Sequence, residues 1–229
     1  MRTIADHIYD IAMNSVKAGA ENINLTIEKN SEKKEFKVAP VGSHLARLYR
    51  IIDLGTQKSE YMGQVKMLRK VKFFWELHGD DLKIEGKPLI QTRNYTLSLG
   101  DKASLRKDLE SWRGKSFTDD ELRGFDLRNL LDKWCMVTVQ HRTANNGNIY
   151  ADAVAITPVP AIVQKAGVPQ GVNPCVLFDL QKFDQEVFDS LSQGLKDQIM
   201  LSAEYRNTFN KPDVNKQLQD AAIEDDIPF

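Results

Sequence analysis

Apolar and polar side chains alternate most regularly between residues 66 and 78. Alternation with a period of two is typical of a β-strand with one buried face. The stretch therefore predicts a strand, with one face formed by Val71, Phe73, Trp75 and Leu77 and the other by Lys70, Lys72, Phe74, Glu76 and His78. Residues 45–54, which are rich in branched aliphatic side chains, and residues 89–99 predict two further strands.

A helical pattern separates these three strands from a hairpin. Leu105, Leu109 and Trp112 recur at helical spacing and predict a helix over 102–113 with both Trp112 and Trp75 in the core. Thr118 and Glu121 are spaced as a capping box and predict further helix to about residue 131. Residues 134–142 and 149–157 predict two strands, joined by a turn over 145–148 whose Asn and Gly residues tolerate positive φ.

The two ends of the chain have different patterns. Residues 3–18 predict a helix and residues 22–28 a strand. Residues 166–174 contain Gly and Pro and predict a linker, followed by one helix over 181–200 whose apolar residues are four apart, namely Phe183, Val187, Leu191 and Leu195. Residues 206–229 are polar and predict a disordered acidic tail.

The order of these elements is three strands, a helical insertion and a hairpin, which is the order of a five-stranded oligonucleotide-binding barrel, the OB-fold. We therefore expect a mixed α/β, β-rich protein in four parts. These are a helix–strand appendage at 1–39, an OB-fold domain at 40–160, a linker and helix at 161–205, and the tail at 206–229.

Charge is distributed unevenly along the 229 residues. The net charge of the whole chain is −1, yet residues 40–160 carry +4 and residues 161–229 carry −5. A basic middle part suggests an anionic partner, although ordinary surface solvation is an alternative explanation. There is no long apolar run and no secretory pattern, and only two cysteines occur, so we expect a soluble intracellular protein without a disulfide framework.

The sequence offers no catalytic set. The four histidines are scattered, and neither a His-x-x-x-His nor a Cys-x-x-Cys pair is present, so we expect no metal, no cofactor and no enzyme activity. No residue pattern in the sequence points specifically to a metal-dependent nuclease.

Basic and aromatic side chains do alternate on the predicted strands, as binding of single-stranded nucleic acid requires. Cations follow the phosphates, and flat rings stack on the bases. The candidate nucleic-acid-binding residues are Arg47, Tyr49, Lys70, Lys72, Phe74, Arg93, Tyr95 and Arg142. The tyrosines and Phe74 have packing in the core as their alternative role.

The chain ends in Asp225, Asp226, Ile227, Pro228 and Phe229, after Glu224. This ending resembles the tails of bacterial and phage single-stranded DNA-binding proteins, which finish in an acidic run followed by Ile-Pro-Phe. The resemblance implies a cytoplasmic protein of a bacterial cell or phage-infected host, whose tip recruits replication and recombination proteins. A terminal carboxylate on an aromatic residue suits a small apolar pocket with a basic group beside it.

A second resemblance covers fewer than 30 residues. The stretch from Asp10 to Ala20, with Asn14 one turn after Asp10, resembles the N-box of the GHKL ATPases. There the Asn ligates magnesium on the nucleotide. The downstream Asp-x-Gly-x-Gly stretch that binds adenine in that family is missing here.

We therefore expect a non-catalytic, sequence-independent single-stranded DNA-binding protein of replication, recombination and repair, with single-stranded DNA and replication or recombination proteins as partners. We expect no association with a membrane, and the sequence leaves open whether the protein forms homo-oligomers. The alternatives are a GHKL-type nucleotide-binding protein and an interaction adaptor that does not bind DNA.

Overall fold

A computed structural model describes Met13, residues 37–61 and residues 63–209. The chain divides into a unit of residues 1–36 and a unit of residues 37–229. The helix expected over 3–18 and the strand expected over 22–28 lie outside the described residues, except for Met13, which is helical. The following description concerns the second unit.

The second unit is built on an antiparallel sheet in the order β5-β2-β1-β6-β7. These strands are β1 Gly42–Tyr61, β2 Gln64–His78, β5 Ile90–Thr96, β6 Trp134–Thr143 and β7 Ile149–Thr157. A small separate hairpin, β3 Lys83–Ile84 and β4 Lys87–Pro88, lies between β2 and β5. The five strands that the sequence pattern predicts between residues 40 and 160 are therefore confirmed.

The hydrogen-bonded path makes an open sheet, since within residues 37–209 no backbone ladder joins the two outer strands β5 and β7. One side chain connects them instead. Gln91 Nε2 on β5 donates to the carbonyl oxygen of Ala151 on β7 at 2.9 Å.

Strands β1 and β2 are longer than predicted and continue together to Tyr61 and Gln64, which pair beside the turn. Two register shifts in β1, between Leu48 and Arg50 and between Asp53 and Gly55, change its course relative to β2. Beyond Gly55 the two strands form a hairpin arm, described at residues 56–61 and 63–69.

The helical insertion follows β5. Helix α1, Ser104–Arg113, buries the three residues that define its apolar stripe, and Trp112 Nε1 donates to the carbonyl oxygen of Trp134 at 2.8 Å. Helix α2, Asp119–Arg123, begins with the expected capping box between Thr118 and Glu121. It is shorter than predicted, and a 3₁₀ turn at Leu127–Leu130 follows. Trp75 and Trp112 both lie, as expected, in the larger apolar cluster between the sheet and α1, which is called the interior core below.

The C-terminal third differs from the expected linker and single helix. Helix α3, Ala161–Ala166, precedes strand β8, Val176–Phe178, which pairs in parallel with β1 at residues 50–52. Residues 181–200 form a 3₁₀ turn at Leu180–Lys182, helix α4 Gln185–Asp189 and helix α5 Gln193–Met200. The single helix is wrong at two places. Asp184 caps a helix start at residue 185, accepting from Val187 N at 3.1 Å, and the helical segment is interrupted again at residues 190–192, between α4 and α5.

Helix α6, Ala203–Phe209, includes the first four residues of the segment expected to be disordered. The rest of that segment, 210–229, lies outside the described residues. Helices α4 and α5 pack over the face of β1 and of its neighbour β8 that points away from the interior core, here called the outer face, and form a second apolar cluster with it. Its buried members are Tyr49, Ile52, Leu54, Phe74, Phe178, Phe188, Leu191, Leu195 and Ile199. None of the helices within the described residues is long and apolar enough to cross a membrane.

A buried ion pair fastens the C-terminal segment to the sheet. Arg47 Nε on β1 donates to Glu76 Oε1 on β2 at 2.7 Å, and Glu76 is completely buried. Glu76 also accepts from the backbone N–H groups of Val172 and Asn173, at 2.9 and 2.8 Å. Arg47 donates to the carbonyl oxygen of Asn173. The segment expected to be a free linker is therefore held by charged hydrogen bonds.

The backbone of Gly171 packs closely against the guanidinium group of Arg47. A Cβ atom built on Gly171 would lie 2.0 Å from Arg47 Cζ, so only glycine lets the chain approach this closely. Arg47 Nη1 completes the network by donating to Asp132 Oδ1 at 2.7 Å, at the start of β6.

Candidate nucleic-acid interface

The register of the sheet decides which candidate residues share a face. Lys72 on β2 lies opposite Asn94 on β5, whereas Val71 and Phe73 lie opposite Tyr95 and Arg93. Residues directly opposite each other in a ladder point to the same face. Arg93 and Tyr95 therefore lie on the opposite face of the sheet from Lys70, Lys72 and Phe74, and an interpretation that places all five candidate residues on one binding surface is wrong.

Arg93 and Tyr95 belong to a contact between β5 and α1. The Tyr95 hydroxyl donates to Asp108 Oδ2 at 2.7 Å, and Arg93 Nη1 lies 3.0 Å from the same oxygen. Burial raises the pKa of the Tyr95 hydroxyl above its ordinary range, and the neighbouring Asp108 carboxylate raises it further. Both side chains hold the helix against the sheet, and the Tyr95 ring is buried in the interior core.

Tyr49 and Phe74 belong to the second apolar cluster. Tyr49 is 5% exposed and Phe74 is 9% exposed. The register shift at Tyr49 places it and Arg50 opposite Phe74, under the C-terminal helices. In this conformation neither ring presents a face on which a base could stack, so the stacking surfaces inferred from the alternation pattern are packing surfaces.

Arg47 is likewise enclosed, by the network with Glu76, Asp132 and Asn173. Burial alone would raise the pKa of Glu76. The hydrogen bonds from Arg47 and from the backbone of Asn173 and Val172 outweigh it and lower the pKa to about 2. Both groups of the pair therefore stay charged over the physiological range, and Arg47 is committed to internal partners.

Lys70 and Lys72 remain accessible on the outer face of β2. Lys70 Nζ donates to Thr96 Oγ1 at 2.9 Å, and Lys72 Nζ lies 5.6 Å from the centre of the Phe74 ring. Partial burial lowers the pKa of Lys72. Beside Lys70 a cavity of about 460 Å³ is lined by polar groups that include Asn94, Thr96 and Gln198. This surface combines cations with amide groups, which suits contacts to phosphates and to base edges.

Arg142 lies near the end of β6, at the β6–β7 turn. Its Nε lies 2.8 Å from Asp152 Oδ2, and its guanidinium carbon lies 5.5 Å from the centre of the Tyr150 ring. Tyr150 is 45% exposed. The sequence reasoning missed Tyr150, although Arg142 and Tyr150 stand at paired positions on either side of the Asn-rich turn. This pair offers a cation and an exposed ring together.

The hairpin arm was also missed. Lys58 and Lys66 are exposed on it, together with the apolar side chains of Val65 and Met67. A signal for it exists in the sequence on the β2 side of Gly63, where Gln64, Val65, Lys66 and Met67 alternate between polar and apolar side chains.

Two candidate segments fall outside the described residues. These are the tip, Asp225, Asp226, Ile227, Pro228 and Phe229, and the stretch with Asp10 and Asn14. Within the described part of the chain, no group of three or more His, Cys, Asp or Glu side chains is placed to hold a metal ion.

No protein-family model matches this chain, and a comparison with curated proteins finds no significant match.

The burial of Phe74 predicts a loss of stability on truncation. Phe74→Ala should lower the free energy of unfolding by about 3 kcal/mol, because the cavity left under helices α4 and α5 refills only in part. Urea unfolding followed by circular dichroism measures this change. Phe209→Ala, in a ring that is 48% exposed at the end of α6, is the matched control and should cost less than about 1 kcal/mol. Unchanged stability of Phe74→Ala together with weakened DNA binding would restore the stacking role.

Proposed function

We propose that this chain binds single-stranded DNA without sequence preference and without catalysis, in DNA replication, recombination and repair in the cytoplasm of a bacterial or phage-infected cell. The observation that carries the proposal is the order of the strands. Bringing β5 against β7 would close the path β1-β2-β5-β7-β6, with α1 between β5 and β6, which is the Greek-key order of the OB-fold.

Three surfaces correspond to the places where OB-folds bind oligonucleotides. The binding face on the second and third strands of an OB-fold corresponds here to the face of β2 and β5 that carries Lys70 and Lys72. The loop between the first two strands is the hairpin arm, with Lys58 and Lys66. The loop between the last two strands carries Arg142 and Tyr150.

Charge supports an anionic ligand on these surfaces. The four lysines supply the sequence-independent attraction to phosphates, while Tyr150 supplies a ring for a base. The Gln91 side chain, which bridges β5 to β7, would close the barrel and keep these surfaces in one arrangement.

The tail adds a second activity to the proposal. Asp225, Asp226, Ile227, Pro228 and Phe229 would recruit replication and recombination proteins, with the Phe229 ring in an apolar pocket and its terminal carboxylate beside a basic group. This part rests on the resemblance of the ending. The two alternatives, a nucleotide-binding protein and an adaptor, gain no specific support from the described residues.

The proposal predicts strong salt dependence. The full-length protein should bind oligo-dT more tightly than duplex DNA, and its affinity should fall linearly with salt on logarithmic axes. Replacing Lys70 and Lys72 together by Gln should reduce the magnitude of that slope by about 1.4, because each phosphate contact on a single strand contributes about 0.7. Fluorescence anisotropy at a series of salt concentrations measures the slope.

The matched control replaces two exposed lysines away from the three surfaces, Lys107 on α1 and Lys165 on α3, by Gln. It should leave the slope unchanged. Equal affinity for duplex and single strands, or the same slope change in both double variants, would contradict the proposed surface.

Removal of Asp225–Phe229 should abolish partner binding and leave the melting temperature almost unchanged, because the sequence from residue 210 onward is polar. DNA affinity should stay the same or rise, since two aspartates that compete with phosphates are lost. Phe229→Ala should reproduce most of the loss of partner binding, and an extra residue after Phe229 should be nearly as harmful. Calorimetric titration against host replication and recombination proteins measures these effects.

The control for this experiment is Leu218→Ala, an aliphatic change in the same terminal segment, which should bind partners normally. Undiminished partner binding by all three tip variants would leave the ending as a solubilising tail.

A further inference from the structure

A cavity of about 360 Å³ opens at one end of the interior core. It lies between the sheet, where β2, β1 and β8 lie side by side, and the 3₁₀ turn after α2. Arg69 and Val71 line it, and they alternate along β2 with Lys70 and Lys72, so the cavity lies on the opposite face of the sheet from the proposed DNA surface. Its volume is within the range of pockets that bind small molecules.

The inner part of the cavity is apolar. Ile51 and Val71 form it from the sheet, and Leu97, Phe125, Leu127 and Leu177 complete it from the surrounding segments. All four surrounding side chains are only partly buried, although they pack against the interior core. Their apolar surface is therefore available to a flat, weakly polar molecule.

The rim is charged and holds both hydrogen-bond donors and acceptors. Arg69 contacts the buried Asp53 through two atoms, with Nη2 at 2.5 Å from Oδ2 and Nε at 3.4 Å from Oδ1. Arg128 lies across the opening, with Nη2 at 3.7 Å from Asp179 Oδ2, a loose ion pair. Asp126 also lines the rim.

Two of these carboxylates are held in place by the backbone. Asp126 Oδ1 accepts from the N–H of Arg128 at 2.9 Å, and Asp179 Oδ1 accepts from the N–H of Gln181 at 2.9 Å. The second oxygen of Asp179 faces Arg128 in the loose ion pair, and among the described residues no hydrogen bond to the second oxygen of Asp126 is found. The acceptors of the rim are therefore fixed before a ligand arrives, which reduces the entropy lost on binding.

This lining excludes several classes of ligand. A purely apolar molecule would bury the rim charges without new partners, which is costly. A simple anion would meet three aspartates against two arginines that these aspartates already contact. A nucleobase has apolar faces that suit the apolar inner part of the cavity. Its polar edge carries donors that can bind carboxylates and acceptors that can bind guanidinium groups.

We propose that this cavity binds one nucleobase, with its ring against Phe125 and Leu127 and its polar edge towards Arg128 and Asp179. The site goes beyond the proposed function, because it uses other residues on the other face of the sheet. The base belongs either to a free nucleotide or to a nucleotide of a bound strand, and the experiment separates these two sources.

The test uses the full-length protein and the four free deoxynucleosides as probes, with deoxyribose 5-phosphate as the probe that lacks a base. Saturation-transfer NMR, which detects weak binding, should show transfer to base protons and none to deoxyribose 5-phosphate. Arg128→Gln should weaken the binding of the best nucleoside about tenfold, because a charged hydrogen-bond donor is lost. Arg123→Gln, an exposed change on the nearby α2, is the matched control and should have no effect.

A second variant fills the cavity. Leu127→Trp should abolish nucleoside binding while its melting temperature shows that the chain is folded. The same variant in the oligo-dT titration identifies the source: weakened binding assigns the cavity to a base of the strand, and unchanged binding assigns it to a free nucleotide. Absence of nucleoside binding, or equal binding by the wild type, Arg128→Gln and Leu127→Trp, would overturn the cavity proposal even if oligo-dT binds normally. Loss of oligo-dT binding alone would instead count against the proposed function.

Discussion

The buried pair of Arg47 and Glu76 is the constraint on which the rest of this structure depends. Two charges taken out of water are stable only when nearly every polar atom finds a partner. Glu76 meets this condition by drawing in the backbone of residues 172–173, and Arg47 does so by contacting Asp132 and Asn173. One interaction thus joins the first two strands, the start of β6 and the C-terminal segment. Strand β8 follows directly and pairs with β1, and helices α4 and α5 then cover the outer face of these strands.

This covering determines which surface remains for a ligand. Tyr49 and Phe74 are enclosed under the C-terminal helices, so the outer face is open mainly at Lys70 and Lys72, on the hairpin arm, and at Arg142 with Tyr150. For the proposed DNA ligand, this distribution means contacts made chiefly by charge, with few stacked rings. Strong salt dependence and weak sequence preference are the behaviour expected of such a surface.

Local signals in the sequence were sufficient for most of the secondary structure. Alternation predicted β2, the Asn-rich turn predicted the hairpin, and the capping box predicted the start of α2. The candidate site was harder to predict, because its charged residues have partners far along the chain: Asn173 is 126 residues from Arg47. From the sequence alone, a charged residue on an alternating strand is assigned to the solvent-exposed face, because its distant ion-pair partner cannot be recognised. Similarly, Val187 on α4, Leu191 between the two helices and Leu195 on α5 all pack in or against one apolar cluster, so their spacing resembled one long helix.

The most direct test of the buried pair is the pH dependence of stability in Glu76→Gln compared with the wild type. The pKa of Glu76 is about 2 when folded against an ordinary value of 4.5, so its contribution is complete above pH 4.5 and is lost as the pH falls towards 2. Urea unfolding across this range should show a component on the order of 3 kcal/mol in the wild type that Glu76→Gln lacks. The variant should also be less stable at pH 7, because Arg47 loses a buried partner. Parallel pH profiles with equal stability at pH 7 would contradict the account.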